Sequence, residues 1–506
     1  METVDFLMQG FGIALTPTNL LLAFVGCFLG TVIGALPGLG PSNGVAILIP
    51  LAFTLGLDAT EALILLTSVY YGAMYGGRIS SILLNIPGDE PALMTTLDGH
   101  PMAKKGRAGE ALALSGVASF VGGFFATVGL VILAPIMTKV ALLFGPAEYF
   151  ALFVLAFATL GGVASRNQAK AAMAAAFGLA LAMVGMDHSS GTARFTYGEM
   201  HLMHGIDFLV AIVGLFAIAE VLLFLEHRGQ DSAIGLALGR ITVPVKTLAK
   251  CGWTMVRSTA IGFVAGVLPG AGASLGSFVA YTIEKKIVDK DKTFGTGDPR
   301  GVAAPEAGNN AAAGGALVPM LTLGVPGSGT TAVLLAMLMT LNITPGPLLF
   351  QQQPDVVWGL IAALFIGNVM LLVMNIPLVG IFVRLLTVPP QILMPAVAMI
   401  AFVGIYSISG SAFDLMVMMG FGVIGYLCRK LDIPTVPIIL GILLGNQMEN
   451  NLRRALSISD GDWTILVGSP LAIGLWVAAV VGFVAPLLIG RYLRPRRPVQ
   501  DVAEPD

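Results

Sequence analysis

The sequence predicts an all-α polytopic membrane protein of roughly 12 transmembrane segments, arranged as two inverted-topology repeats with broken helices and re-entrant hairpins. Three observations carry this. Charged residues make up 11% of the 506 and hydrophobic residues 56%, where a water-soluble domain carries roughly 25% charge. From Phe6 to Leu57 there is no charged residue at all, a pattern that suits hydrocarbon and not a hydrated surface. One motif also recurs in the two halves of the chain, rich in Gly and interrupted by Pro-Gly.

A span needs about 20 apolar residues. In the first repeat, about residues 17–226, apolar runs at 19–36, 42–57 and 59–86 lead to the basic turn of Lys104, Lys105 and Arg107. Runs at 110–137, 147–163, 169–186 and 205–226 follow. The interval 227–257 carries Arg228, Arg240, Lys246, Lys250 and Arg257 and reads as a cytoplasmic linker. The second repeat, about 258–427, begins with an apolar run at 257–284 and continues with 309–344, 356–384, 391–407 and 411–427. C-terminal helices within 433–490 and a basic tail at 491–506 complete the chain. Lys and Arg are absent before Arg78 and gather at 104–107, at Arg166 and Lys170, in the linker and in the tail. That bias places the N-terminus outside (periplasmic) and the C-terminus in the cytoplasm. The mixed stretch 449–463, with Arg453 and Arg454 beside Asp460 and Asp462, fits neither side.

Several classes are excluded by composition. A net charge of −2 offers no basic surplus for nucleic acid. Cys27, Cys251 and Cys428 are far apart and fit neither a disulfide framework nor a zinc site. The N-terminus lacks the basic region of a cleaved signal. Asp187, His188, His201 and His204 match no metal-site spacing, and no cofactor is expected. Gly270-Ala-Gly272 and residues 327–331 superficially resemble nucleotide loops. The first follows a membrane helix and the second lacks the phosphate-binding Lys, so nucleotide binding is rejected.

The repeat sets the candidate site. GTVIGALPGLGPSNG at 30–44 aligns with GFVAGVLPGAGASLG at 262–276, with 9 identities in 15 positions. Both copies carry glycine every fourth residue into the break, a spacing that lets two helix backbones approach closely. A second correspondence joins Gly76-Gly77 and Asn85-Ile-Pro-Gly88 with Gly315-Ala316 and Gly324-Val-Pro-Gly327. The surrounding basic loops place the two halves in opposite orientation. Inverted repeats with broken helices point to a secondary transporter with its site at mid-membrane. Irregular backbone at that depth survives where it lines a polar cavity or is buried in protein. A helix restarting after each break presents free N–H groups and a positive dipole end to an anion.

The expected substrate- and ion-binding residues are therefore Gly38, Gly40, Ser42 and Asn43 at the first break, Asn85 and Gly88 in its hairpin, Gly270, Gly272 and Ser274 at the second break, and Gly327, Ser328, Thr330 and Thr331 in the matching hairpin. Arg78, Asp89, Asn309 and Asn310 are further candidates. Arg78 either pairs a carboxylate, snorkels or binds Asp89. Glu90 lies near the same cavity, and Glu306 with the two Asn residues sits at the mouth of the second hairpin. Glu148, Glu220 and Asp414 interrupt apolar runs and are suspects on that ground alone.

These motifs, together with PGAG at 269–272 and GVPGSGTT at 324–331, resemble the large membrane subunit of the tripartite tricarboxylate transporters over about residues 17–440. The resemblance implies a permease of the bacterial inner membrane. It works with a small four-helix membrane subunit and a periplasmic solute-binding protein to import citrate or another carboxylate, coupled to Na⁺ or H⁺. The alternatives are an ion channel or cation/proton antiporter without organic substrate, which calls for acidic midplane residues in both repeats, and a membrane-embedded enzyme. No nucleophile-base pair or facing metal ligands are visible, so an enzyme is not expected.

Overall fold

The structure, a computed structural model, describes residues 2–36, 38–163, 167–187, 190–226, 240–270, 272–385 and 390–492. Pro37, Arg166, His188, the first part of the sequence-predicted linker (227–239), Ala271 and the tail beyond residue 492 lie outside the described residues.

The chain is helical almost throughout. In the first half, α1 (Glu2–Ala14), α2 (Pro17–Ala35), α3 (Gly40–Thr54), α4 (Ala59–Leu84) and α5 (Leu93–Met102) lead through a π-helical turn at Ala103–Arg107 into the long α6 (Ala108–Ala141). Gly106, at φ +76°, makes that turn possible. Helices α7 (Pro146–Val163), α8 (Gln168–Ala182), α9 (Phe208–Val213) and α10 (Ala219–Glu226) follow, with the two-residue strands β1 (Gly185–Met186) and β2 (Ala193–Arg194) paired antiparallel in the loop between α8 and α9. The second half comprises α11 (Val245–Val267), α12 (Gly272–Val288), α13 (Pro299–Leu323), α14 (Gly329–Thr340), α15 (Leu349–Gln352), α16 (Pro354–Asn375), α17 (Val379–Leu385), α18 (Pro390–Ser409), α19 (Ala412–Lys430), α20 (Val436–Ile458) and α21 (Pro470–Tyr492).

Among the described residues, five helical segments are long and apolar enough to cross a membrane: Pro17–Ala35, Leu93–Ala141, Phe208–Glu226, Pro354–Asn375 and Ala412–Lys430. Shorter apolar helices, α3, α14 and parts of α7 and α18 among them, add to these. The two longest-buried helices are absent from that set. Helix α4 is buried from Ala62 to Leu83 and α13 from Gly301 to Leu323. Surrounded by protein, they have no lipid to match, and their sequences tolerate Gly, Ala, Ser, Asn and charge.

That shielding explains where hydropathy misplaces boundaries. The run at 309–344 begins ten residues late, because α13 starts at Pro299, capped by the Asp298 carboxylate on the Arg300 N–H. Helix α11 starts at Val245, within the interval read as linker, and α20 continues to Ile458, taking in Arg453 and Arg454 of the mixed stretch and ending before Asp460 and Asp462.

The glycine stripes seat α2 on α4 and α11 on α13. A methyl group added at Gly30 would lie 2.3 Å from the Val69 carbonyl oxygen, and one at Gly34 2.0 Å from that of Ala73. In the second half, Gly262 and Gly266 meet the carbonyls of Gly308 and Ala312 at 2.1 and 2.2 Å in the same way. The partners are displaced by the same offset as the hairpin motifs, so one packing solution is used twice.

A polar latch joins the halves at the charged loop between α12 and α13. The buried Asp98 carboxylate of α5 accepts from the Tyr281 hydroxyl at 2.9 Å and from the backbone N–H groups of Gly295, Gly297 and Asp298. Burial works against the charge of Asp298 next to it. Hydrogen bonds from Arg300 and Thr293 outweigh that and hold its carboxyl well below the usual carboxylate range.

Candidate functional site

Each repeat breaks a helix with two left-handed glycines. Between α2 and α3 these are Gly38 (φ +90°) and Gly40 (+63°); between α11 and α12 they are Gly270 (+76°) and Gly272 (+65°). A side chain is strained in that region, so the sequence supplies glycine in both copies. The hairpins are matched too: α4 ends on Asn85 at φ 58° and α13 on Gly324 at φ 69°, both left-handed caps. After each hairpin a side chain accepts from the backbone N–H three residues on, in the turn before α5 in the first half and as the N-cap of α14 in the second. Asp89 Oδ1 accepts from the Ala92 N–H at 2.9 Å, and Ser328 Oγ accepts from the Thr331 N–H at 3.2 Å.

Break and hairpin meet within each half. A methyl at Gly40 would come 3.7 Å from the Asp89 Cβ, and one at Gly272 3.6 Å from the Ser328 Cβ. The Gly272 N–H donates to the Gly327 carbonyl at 3.1 Å. At Gly88 an added methyl would lie 2.2 Å from the Gly34 carbonyl oxygen, and at Gly327 3.0 Å from that of Gly266.

The two halves also meet each other. The Ser42 and Thr330 hydroxyls are hydrogen-bonded at 2.9 Å, and the Ser274 hydroxyl donates to Glu90 Oε2 at 3.3 Å. Each break thus reaches the hairpin of the opposite repeat. Four helix N-termini, those of α3, α5, α12 and α14, belong to this arrangement. Its two ends differ in exposure. Gly38, Asn85, Ile86 and Glu90 are exposed, whereas Gly270 and the stretch 324–327 are buried. The segment after α14 covers the latter: the Gly346 N–H donates to the Leu321 carbonyl, and the Pro345 carbonyl lies over Gly324.

Of the residues the sequence singles out, Gly38, Gly40, Ser42, Gly88, Asp89, Gly270, Gly272, Ser274, Gly327, Ser328 and Thr330 fall at these junctions. Asn43 is buried on α3 with Oδ1 lacking a hydrogen-bond partner. Asn85 serves as a helix cap facing outward. Ser328 and Thr331 form a reciprocal capping box, so their hydroxyls are committed to the start of α14.

Arg78 stands apart and neither snorkels nor pairs with Asp89. It is fully buried, donates to the carbonyls of Tyr75 and Leu112 and to the Ser115 hydroxyl, and lies over the Tyr75 ring. Glu306, Asn309 and Asn310 are not loop residues at a hairpin mouth; they sit inside α13, fully or almost fully buried. Glu306 accepts from the Thr95 and Ser119 hydroxyls at 2.6 and 2.9 Å. Asn310 donates to the Glu306 carbonyl, and both polar atoms of the Asn309 side chain lack partners. Thr95, Ser119 and Asp98 carry no signal in the sequence, because their partners are distant in the chain.

Glu220 brings a carboxylate oxygen to 3.6 Å from a methyl placed on Gly38, with Arg429 at 3.7 Å from its other oxygen. Glu148 is taken up by Ser469 and the Gly145 N–H, and Asp414 occupies the first turn of α19. Among the described residues no group of three or more His, Cys, Asp or Glu is placed to hold a metal ion, and the three cysteines are free and buried.

The fold and these junctions define a polytopic helical membrane protein organised around two matched helix breaks. The chain belongs to the tripartite tricarboxylate transporter TctA family, whose model matches residues 20–440. It is 40% identical over 489 residues, 96% of this chain and 97% of the relative, to an uncharacterized 52.8 kDa protein in the TAR-I ttuC' 3' region of Agrobacterium vitis. A second Agrobacterium vitis protein, from the TAR-II ttuC' 3' region, is 40% identical over 227 residues, 45% of this chain and 94% of that one. An uncharacterized protein of Methanocaldococcus jannaschii matches at 34% over 108 residues, 21% of this chain and 26% of its own. No solved structure gives a significant match.

Proposed function

We propose that this chain is the large permease subunit of an ion-coupled carboxylate importer of the bacterial inner membrane, and not an enzyme. Citrate or another di- or tricarboxylate is the cargo, and Na⁺ or H⁺ the coupling ion. A small four-helix membrane subunit and a periplasmic solute-binding protein complete the system, with the N-terminus periplasmic and the C-terminus cytoplasmic. The observation that carries the reading is the reciprocal contact of breaks and hairpins, Ser42 with Thr330 and Ser274 with Glu90. It gathers helix N-termini of both repeats where an anion needs N–H donors and a positive dipole end. The difference in exposure between the two hairpins supports one state of an alternating-access cycle in which the repeats exchange environments.

The test is uptake of radiolabelled citrate into proteoliposomes holding this chain with its small subunit, with and without a binding protein and an imposed ion gradient. Gradient-driven uptake that requires the binding protein is expected. Ion flux by the permease alone, without uptake of any carboxylate, would favour the channel or antiporter reading instead. A polar contact is worth about 0.5–1.5 kcal/mol, so Ser42→Ala or Ser274→Ala is expected to lower coupled uptake up to roughly tenfold while the protein still inserts. Unchanged uptake by both variants would remove the two hydroxyls from the site.

A further inference from the structure

We propose that Asp89 carries the coupling proton, binding it on Oδ2 when cargo is taken up and releasing it when cargo leaves. This deepens the importer reading and rests on it for the identity of the cargo.

The two repeats place different chemistry at one equivalent position. Asp89 and Ser328 each accept from the backbone N–H three residues on, Asp89 in the turn before α5 and Ser328 as the N-cap of α14, and both lie against the second glycine of their break, Gly40 and Gly272. The serine hydroxyl carries no charge. Its counterpart is a carboxylate, only 9% exposed, whose two oxygens have separate fates. Oδ1 is engaged by the Ala92 N–H, and Oδ2 has no hydrogen-bond partner.

The charged and titratable groups facing Asp89 are Glu90 beside it, Glu306 from α13 and Tyr70 from α4. None is a cation, and no Lys or Arg lies within ion-pair distance among the described residues. A buried carboxylate oxygen without a donor or a counter-ion is costly as an anion. A proton removes the charge at the atom that lacks a partner. A metal cation would instead require several oxygens converging on Oδ2. Among the described residues no group of three or more His, Cys, Asp or Glu that could hold a metal ion includes Asp89. A protonated Asp89 leaves the N-terminus of α5 free of like charge when an anion approaches. Loss of the proton restores repulsion and drives the anion off, so the two binding events are linked by charge at one atom.

The test uses the reconstituted complex with labelled citrate as probe. Uptake driven by a pH gradient, acid outside, is compared with citrate/citrate exchange at zero gradient, for wild type and for Asp89→Asn. The amide oxygen of the variant can still accept from the Ala92 N–H. The ratio of pH-driven uptake to exchange is expected to fall at least about tenfold in Asp89→Asn. An unchanged ratio, or wild-type uptake that follows a Na⁺ gradient and ignores pH, would overturn the proposal. If Asp89→Asn loses both activities, Asp89→Glu decides: recovered pH-driven uptake supports proton carriage, and no recovery overturns it. Wild type that neither takes up nor exchanges carboxylate would fail the importer reading itself, a result distinct from a pH-insensitive importer.

Discussion

Gly34→Val is expected to prevent α2 from seating on α4 and to leave little folded protein. A single methyl at Gly34 would lie 2.0 Å from the Ala73 carbonyl oxygen and 2.7 Å from its carbonyl carbon and Cα. These are backbone atoms of a helix buried on all sides, so the clash cannot be relieved by a rotamer change. Overpacking of this kind costs about 3 kcal/mol or more. In hydrocarbon, close packing is also a main source of helix association, so the penalty falls on the interaction that assembles the repeat. Gly266→Val should behave alike, since Ala312 stands over it at 2.2 Å. Gly474→Val is the control, with nothing within 4 Å of the added carbon. Thermal unfolding of the detergent-solubilised protein, read by monodisperse fraction, measures the difference. A Gly34→Val protein that melts with the Gly474→Val control would show that the backbones do not approach this closely.

Much of this arrangement is legible in the sequence, because the features that build it are local and used twice. The spacing of Gly30 and Gly34, repeated as Gly262 and Gly266, announces two close helix pairs. The Pro-Gly steps announce where the helices stop, since left-handed backbone requires glycine at Gly38, Gly40, Gly270 and Gly272. Boundaries fail where burial in protein replaces burial in lipid. Helix α13 begins among Pro, Arg, Gly and Glu residues that hydropathy assigns to a loop, so Glu306, Asn309 and Asn310 are misplaced at its mouth. Contacts between repeats are not legible either. Nothing within a few residues of Ser42 indicates Thr330, and nothing near Asp98 indicates Tyr281 or the Gly295 N–H, because these pairings are set by the docking of whole helices.

Arg78 and Glu306 show the same limit, and their energetic coupling is the second large effect expected. Both side chains are fully buried, one on α4 and the other on α13. Their opposite charges are brought together through α6. Arg78 reaches Ser115 and Glu306 reaches Ser119. These serines are four residues apart on α6, about one turn or roughly 6 Å along its axis, so the two charged groups approach neighbouring positions of the same helix. Removing one member of such a pair leaves a buried charge uncompensated, a cost of about 3–5 kcal/mol. Arg78→Met and Glu306→Gln are each expected to be destabilising. The double variant should cost less than the sum of the singles, by about 1–3 kcal/mol. The glutamine retains acceptor capacity toward Thr95 or Ser119, so the cycle isolates charge more cleanly than alanine would. Unfolding free energies for the four proteins in mixed micelles give the coupling directly. Additivity within about 0.5 kcal/mol would mean that the two charges do not sense each other. A coupling of the expected size would assign Arg78 to holding α4, α6 and α13 together.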